Sequence, residues 1–147
     1  IFNTFFHFMR KVDIKYKNIF VEKKHKDSLD INNNISKQLS VFIKDNLCYF
    51  QQFNKIIIYY DNGQKQLANI LVSVFSSWFH DNFDYRTVSP YKYRLFQVAD
   101  FICAVSLIEN KLSCGHCLTK SESLFFESPR NLKMKYLKQI KRLDFDR

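Results

Sequence analysis

Residues 55–64 read KIIIYYDNGQ, and the prediction of the fold class starts from this stretch. Residues 56–60 form a run of β-branched and aromatic side chains that is too short for an independent helix. The pattern predicts a central strand buried on both faces. Asp61 and Gly63 interrupt the run before a strongly amphipathic segment begins. Functional sites of open α/β sheets lie beyond the carboxyl ends of such strands, which is where the sequence places Asp61.

The segments on either side of this strand predict alternating helices and strands. In chain order they are a helix over residues 2–11, a strand over 14–21 that neighbours the strand 56–60, a helix from 28–30 to 51–52, a helix over 67–79, a strand over 85–88, a helix over about 93–111, a loop over 113–123 and a last helix after Pro129. This order is typical of an α/β sheet with crossover helices. Because 147 residues suit a single core, we predict one domain over residues 1–147.

The overall charge is strongly basic, with 23 lysines and arginines against 14 aspartates and glutamates and a formal net charge of +9. Such an excess favours a polyanion partner such as nucleic acid, or it serves only to keep the protein in solution. No apolar run reaches the ~18–20 residues of a membrane span, and no secretory signal is visible. The four cysteines favour reduced thiols over a disulfide framework. We therefore expect a cytoplasmic protein without a membrane partner.

The helix predicted over about 93–111 is apolar nearly all round, a pattern typical of a buried helix. Gln97 and Asp100 interrupt it on one face. A buried carboxylate costs several kcal/mol unless it is paired or bound to a metal, so Asp100 is expected to have a partner. Asp61 and Asp100 together could hold Mg²⁺ or Mn²⁺, as in metal-assisted phosphodiester hydrolysis. The structural alternative makes Asp61 a helix N-cap and Asp100 a salt-bridged core residue.

Two further motifs contain residue types that can carry chemistry. Cys114-Gly115-His116-Cys117 has the spacing of a redox or zinc motif, but it follows a helix and has no second ligand pair, so an incidental loop is favoured. The last helix has an apolar face and a basic one. Its basic side chains could follow a phosphate backbone, or they could form an ordinary solvated face; the candidates for nucleic-acid binding are Lys133, Lys138, Lys141 and Arg142.

Three stretches resemble a known family: YYDNGQ (59–64), YRLFQVADFICAVSLIENKL (93–112) and SESLFFESPRNLKMKYLKQIK (121–141). They are similar to the second half of the bacterial "domain of unknown function 3800" family, whose members resemble RNase H-like nucleases and integrases. The resemblance covers roughly residues 12–145 and is most specific at Tyr60-Asp61 and at Gln97-Val98-Ala99-Asp100. It implies an RNase H-like mixed sheet flanked by helices. It also implies that Asp61 and Asp100 are catalytic metal ligands, with Gln97 beside them orienting ligand or substrate.

The chain departs from that family at its start. The family opens with a strand carrying an Asp-Glu-Ser-Gly-type motif, and nothing before Ile14 matches it. Since the sequence begins at Ile1 without Met, we expect an N-terminally truncated domain that lacks its first strands and is inactive as it stands. The alternative is a non-catalytic module that binds nucleic acid or protein and has a degenerate site.

Overall fold

The computed structural model describes residues 2–22, 27–61, 63 and 65–146. In chain order the elements are α1 (Phe2–Lys11), α2 (Ser28–Asp45), α3 (Leu47–Phe50), β1 (Ile56–Asp61), α4 (Lys65–Phe79), β2 (Phe83–Val88), a 3₁₀ turn (Pro90–Lys92), α5 (Arg94–Ser113), α6 (Lys120–Phe126), α7 (Pro129–Asn131), a π-helix (Leu132–Leu137), α8 (Lys138–Ile140) and a 3₁₀ turn (Lys141–Leu143). The fold is mixed α/β. We call residues 129–143, which are helical throughout, the C-terminal segment.

The chain divides into two compact units. The sheet unit is Ile19–Lys92, and the helical unit combines Ile1–Asn18 with Tyr93–Arg147. Because one domain can contain two compact units, the single domain over residues 1–147 stays a prediction.

The sheet unit is built on a parallel pair of strands joined by a crossover helix. The strands β1 and β2 pair in register from Ile56 opposite Phe83 to Asp61 opposite Val88, with α4 between them in the chain. Parallel strands need such a long connection because a tight turn can join only antiparallel neighbours. One face of the pair packs against α2 and α4 through Ile56 and Ile58, around a core centred on the fully buried Ile43.

The opposite face of this sheet is open. Ile57 and Tyr59 are each 40% exposed, and the neighbouring Arg86 donates a hydrogen bond of 3.3 Å to the Tyr59 hydroxyl. The prediction that residues 56–60 are buried on both faces is therefore wrong. Among the described residues the sheet has two strands, so β1 has one strand neighbour and is not central. An apolar run alone cannot show how many layers cover a strand.

The strand predicted over residues 14–21 is also wrong, although its alternation is correct. Ile14 and Tyr16 are half-buried while Lys15 and Lys17 are exposed. The backbone of Tyr16 pairs with the end of the chain instead of with β1, through bonds of 2.9 Å from Tyr16 N–H to Leu143 O and from Phe145 N–H to Tyr16 O. Alternation tells which side chains face a core, but it does not identify the backbone partner.

The helical unit buries one side of α5 against the C-terminal segment and the end of α1. Its fully buried side chains are Val105, Leu132 and Ile140. Leu132 and Leu137 both enter this core although they are five residues apart, because the intervening turn is a π-helix with i→i+5 hydrogen bonding. Leu95 and Leu107 on the other side of α5 are 53% and 43% exposed, so the prediction that α5 is buried all round is wrong.

Candidate functional site

Asp61 is the last residue of β1, and its half-buried side chain lies at the carboxyl end of the parallel pair, as the sequence predicts. Its Oδ1 accepts a hydrogen bond of 3.2 Å from the Gly63 N–H. Asn62 and Gln64, which complete the quoted motif, lie outside the described residues. The carboxylate thus stabilises its own turn through one oxygen, and its remaining lone pairs could accept further donors or a cation.

The surroundings of Asp61 are tight and include a second ionisable group. A Cβ placed on Gly63 would lie 3.3 Å from Asp61 Oδ2, so a side chain at that position would displace the carboxylate by a few tenths of an ångström. The pKa of the Tyr60 phenol is raised, first by burial and then by the nearby charges of Tyr85 and Asp61. The Tyr60 phenol is therefore protonated at neutral pH and adds no negative charge beside Asp61.

Asp100 and Gln97 lie on the same helix, α5, and both are exposed. The argument that Asp100 must have a partner because it is buried is therefore wrong. Only the side of α5 that carries Val98, Ile102 and Val105 is buried, and Asp100 does not belong to it. An exposed carboxylate remains hydrated and needs no partner for stability.

Asp61 belongs to the sheet unit and Asp100 to the helical unit, so the pairing of their carboxylates stays a prediction. Within the described residues, no group of three or more His, Cys, Asp or Glu side chains could hold a metal ion. A single carboxylate such as Asp61 can still bind Mg²⁺ weakly, because that ion keeps several waters and takes one or two protein ligands.

The C-terminal segment carries six basic residues and no acidic one, as its sequence PRNLKMKYLKQIKRL shows. Lys133, Lys138 and Arg142 are exposed. Lys141 is partly neutralised, because its Nζ lies 2.6 Å from Glu109 Oε1 on α5. Lys135 is also partly neutralised, because its Nζ lies 3.6 Å from Glu127 Oε2. Three of the four predicted nucleic-acid contacts are thus available to a polyanion, and the fourth is held in an ion pair.

A cavity of about 460 Å³ in the helical unit was not expected from the sequence. Arg142 lines it together with basic residues at and after the end of α1, namely Arg10, Lys11 and Lys15. Basic residues at the last turn of a helix are common because they compensate its dipole, so they gave no separate signal. That they meet Arg142, more than 120 residues later, is a property of the fold.

The cysteine motif forms the end of α5 and the loop after it. Cys114 is the C-cap residue of α5, and Cys114 and Cys117 are free, exposed thiols. The helix comes before the motif, the reverse of the arrangement that lowers a thiol pKa at a helix N-terminus.

Comparisons of this chain with models of protein families, with curated proteins and with solved structures find no match in any of the three. The family resemblance therefore stays a prediction. Among the described residues, no helix is both long enough and apolar enough to cross a bilayer. The cytoplasmic location stays a prediction as well.

Proposed function

We propose that this chain binds nucleic acid through the basic surface of the C-terminal segment, with little sequence preference. The observation that carries the proposal is a helical stretch of 15 residues, 129–143, with six cations and no acid. Four of the six (Arg130, Lys133, Lys138 and Arg142) are exposed and have no ion pair within the part of the chain that the structure describes. A solvent-exposed helix often carries charges of alternating sign, whereas this segment carries cations alone.

Binding of this kind draws its free energy from the counterions that lysine and arginine release from the phosphates. It requires cations that are accessible and not already neutralised by carboxylates. Lys133 and Lys138 meet both requirements, whereas Lys141 shares its charge with Glu109. Affinity should therefore depend on Lys133 and Lys138 more than on lysines elsewhere with the same exposure.

The experiment is fluorescence anisotropy with a labelled 20-nucleotide duplex at about 50 mM salt. The variant Lys133→Glu/Lys138→Glu changes the net charge by four units. The control Lys37→Glu/Lys44→Glu makes the same change at exposed positions of α2 in the sheet unit. We expect a loss of about tenfold or more for the first variant and about threefold or less for the control. Equal losses would show that only net charge matters and would remove the proposed surface.

A second candidate function is metal-dependent phosphodiester hydrolysis by an RNase H-like domain, and the position of Asp61 at the carboxyl end of a parallel strand favours it. In this proposal Asp61 and Asp100 hold Mg²⁺ or Mn²⁺ and Gln97 orients ligand or substrate. The metal would activate the attacking water and stabilise the leaving oxygen. The site is expected to be inactive in this proposal, since no residue before Ile14 matches the family's first acidic motif.

Metal binding tests this second candidate without requiring turnover. Titration of Mn²⁺ followed by electron paramagnetic resonance should show weak binding that Asp61→Asn and Asp100→Asn each reduce. Asp81→Asn, which replaces an exposed aspartate after α4, is the control and should leave the titration unchanged. Mn²⁺ binding that is the same in all four proteins would exclude the site.

A further inference from the structure

The cavity of about 460 Å³ in the helical unit has two kinds of wall. Met9, Ile14 and Leu143 give it an apolar side, and Met9 is only 3% exposed. Four of the other seven lining residues are basic. A volume between about 300 and 1,000 Å³ with an apolar surface and a few convergent polar groups is typical of small-molecule sites.

The charge of the cavity is strongly one-sided. Arg10, Lys11, Lys15 and Arg142 line it against one carboxylate, Asp13, so the formal charge of the lining is 4 − 1 = +3. Lys11, Lys15 and Arg142 form no ion pair with any residue that the structure describes. Like charges brought together on a concave surface repel one another, and an anion between them relieves that repulsion.

The guanidinium of Arg10 is fixed by a neutral partner. Gln139 Oε1 accepts two hydrogen bonds from it, of 3.2 Å from Nε and 2.8 Å from Nη2. The Gln139 amide is itself oriented, because its Nε2 donates to Lys135 O at 3.2 Å. Arg10 is thus held at the cavity while its charge is left uncompensated. A cation fixed in advance loses less freedom when it binds an anion.

Compensation of helix dipoles explains only part of this arrangement. Arg10 and Lys11 end α1, and cations are favoured there whatever their surroundings. The dipole does not explain why Lys15 lines the same cavity from the extended chain beyond the helix. It also does not explain why Arg10 is held by an amide, when Lys141 in the same unit is held by a carboxylate.

We propose that this cavity binds the phosphate monoester of a ligand about the size of a mononucleotide. The cations hold the phosphate, and the apolar wall takes the attached group. The phosphate has two sources, a free nucleotide or the phosphorylated end of a nucleic-acid strand. Recognition of a phosphorylated strand end rests on the proposed nucleic-acid binding, whereas recognition of a free nucleotide does not.

The experiment compares ligands that differ only in the phosphate. Calorimetry with adenosine 5′-monophosphate and with adenosine tests the free nucleotide. Anisotropy with one oligonucleotide carrying either a 5′-phosphate or a 5′-hydroxyl tests the strand end. We expect the phosphate to strengthen binding about tenfold or more in at least one arm, because hydrogen bonds to charged groups are strong. The arm that shows the gain identifies the source.

Variants then locate the gain. Gln139→Glu keeps an acceptor for Arg10 but neutralises its charge, so the phosphate gain should fall about tenfold while the melting temperature does not fall. Arg142→Gln should reduce the gain similarly. The control Lys120→Gln removes one charge at an exposed position of α6 outside the cavity and should preserve the gain.

Two results would overturn this assignment: no phosphate gain in either arm, or a gain that survives both Gln139→Glu and Arg142→Gln. Failure of the proposed nucleic-acid binding looks different. In that case the 5′-hydroxyl oligonucleotide shows no salt-dependent binding. The calorimetry with adenosine 5′-monophosphate still tests the phosphate site, because it does not depend on nucleic-acid binding.

Discussion

Ile43→Ala tests the packing that holds α2 and α4 on the covered face of the sheet. Ile43 is 0% exposed and packs with Ile70, Val74 and Phe75. Replacing a fully buried isoleucine by alanine costs about 2–5 kcal/mol, through lost transfer free energy and the cavity left behind. Alanine also has the higher helix propensity, which returns up to about 0.7 kcal/mol. The net loss in the free energy of unfolding should therefore be between about 1.3 and 5 kcal/mol.

The chain provides both a probe and a matched control for this measurement. The sequence has one tryptophan, and Trp78 packs against the same core, so its fluorescence during urea denaturation reports on the sheet unit. Val41 is also β-branched and lies on α2, but it is 48% exposed. Val41→Ala raises the helix propensity in the same way but opens no cavity, so it should change the free energy of unfolding by no more than about 0.5 kcal/mol. A difference of less than about 1 kcal/mol between the variants would refute the packing described for Ile43.

Three further predictions concern single side chains. Gly63→Ala places a Cβ 3.3 Å from Asp61 Oδ2 and should weaken Mn²⁺ binding in the resonance titration; unchanged binding would separate that turn from any metal site. Glu109→Gln releases Lys141 from its 2.6 Å ion pair and should strengthen duplex binding at about 50 mM salt, whereas weaker binding would contradict the role of the basic surface. Glu122 has a lowered pKa, chiefly because it accepts the Thr119 N–H, so its stabilisation is present above its usual pKa and lost as pH falls through the lowered one. The free energy of unfolding of Glu122→Ala should therefore be lower than that of the wild type at neutral pH and approach it only in acid. A difference between the two proteins that does not change with pH would disprove this.

The elements that depend on local pattern could be predicted from the sequence. The apolar stripe over residues 67–79 predicts the helix that the structure has as α4 (Lys65–Phe79), and the apolar run before Asp61 predicts β1. The helix α2 begins at Ser28, within the predicted range, and its N-cap is Asp27, which accepts the Asp30 N–H at 2.8 Å. The predicted helix from 28–30 to 51–52 is, however, divided at Asn46 into α2 and α3. Local spacing does not reveal such an interruption.

One helix was missed although its signal was present. The sequence predicts a loop over residues 113–123, yet α6 begins at Lys120. Thr119 and Glu122 form a capping box, in which Thr119 Oγ1 accepts the Glu122 N–H at 3.2 Å and Glu122 Oε2 accepts the Thr119 N–H at 2.7 Å. The Thr-x-x-Glu spacing just before Leu124 is the sequence signature of this cap.

The candidate sites depend on contacts between distant segments, which the sequence does not specify. Asp61 was placed correctly because its position follows from one strand and its turn. Asp100 was expected to be buried because α5 is apolar, but which side of an apolar helix is covered depends on its neighbours. The link from Arg10 to Gln139 joins residues 129 positions apart, and no local pattern announces it.

The salt dependence of duplex binding tests the central proposal most directly. The measurement is the slope of log K against log salt from about 50 to 200 mM, for the wild type and for Lys133→Gln/Lys138→Gln. Each phosphate contact contributes about 0.9 to this slope on B-DNA, so the loss of two contacts should make it shallower by about 1.8. A wild-type affinity that does not change with salt, or a slope that is the same in both proteins, would contradict binding through the C-terminal segment.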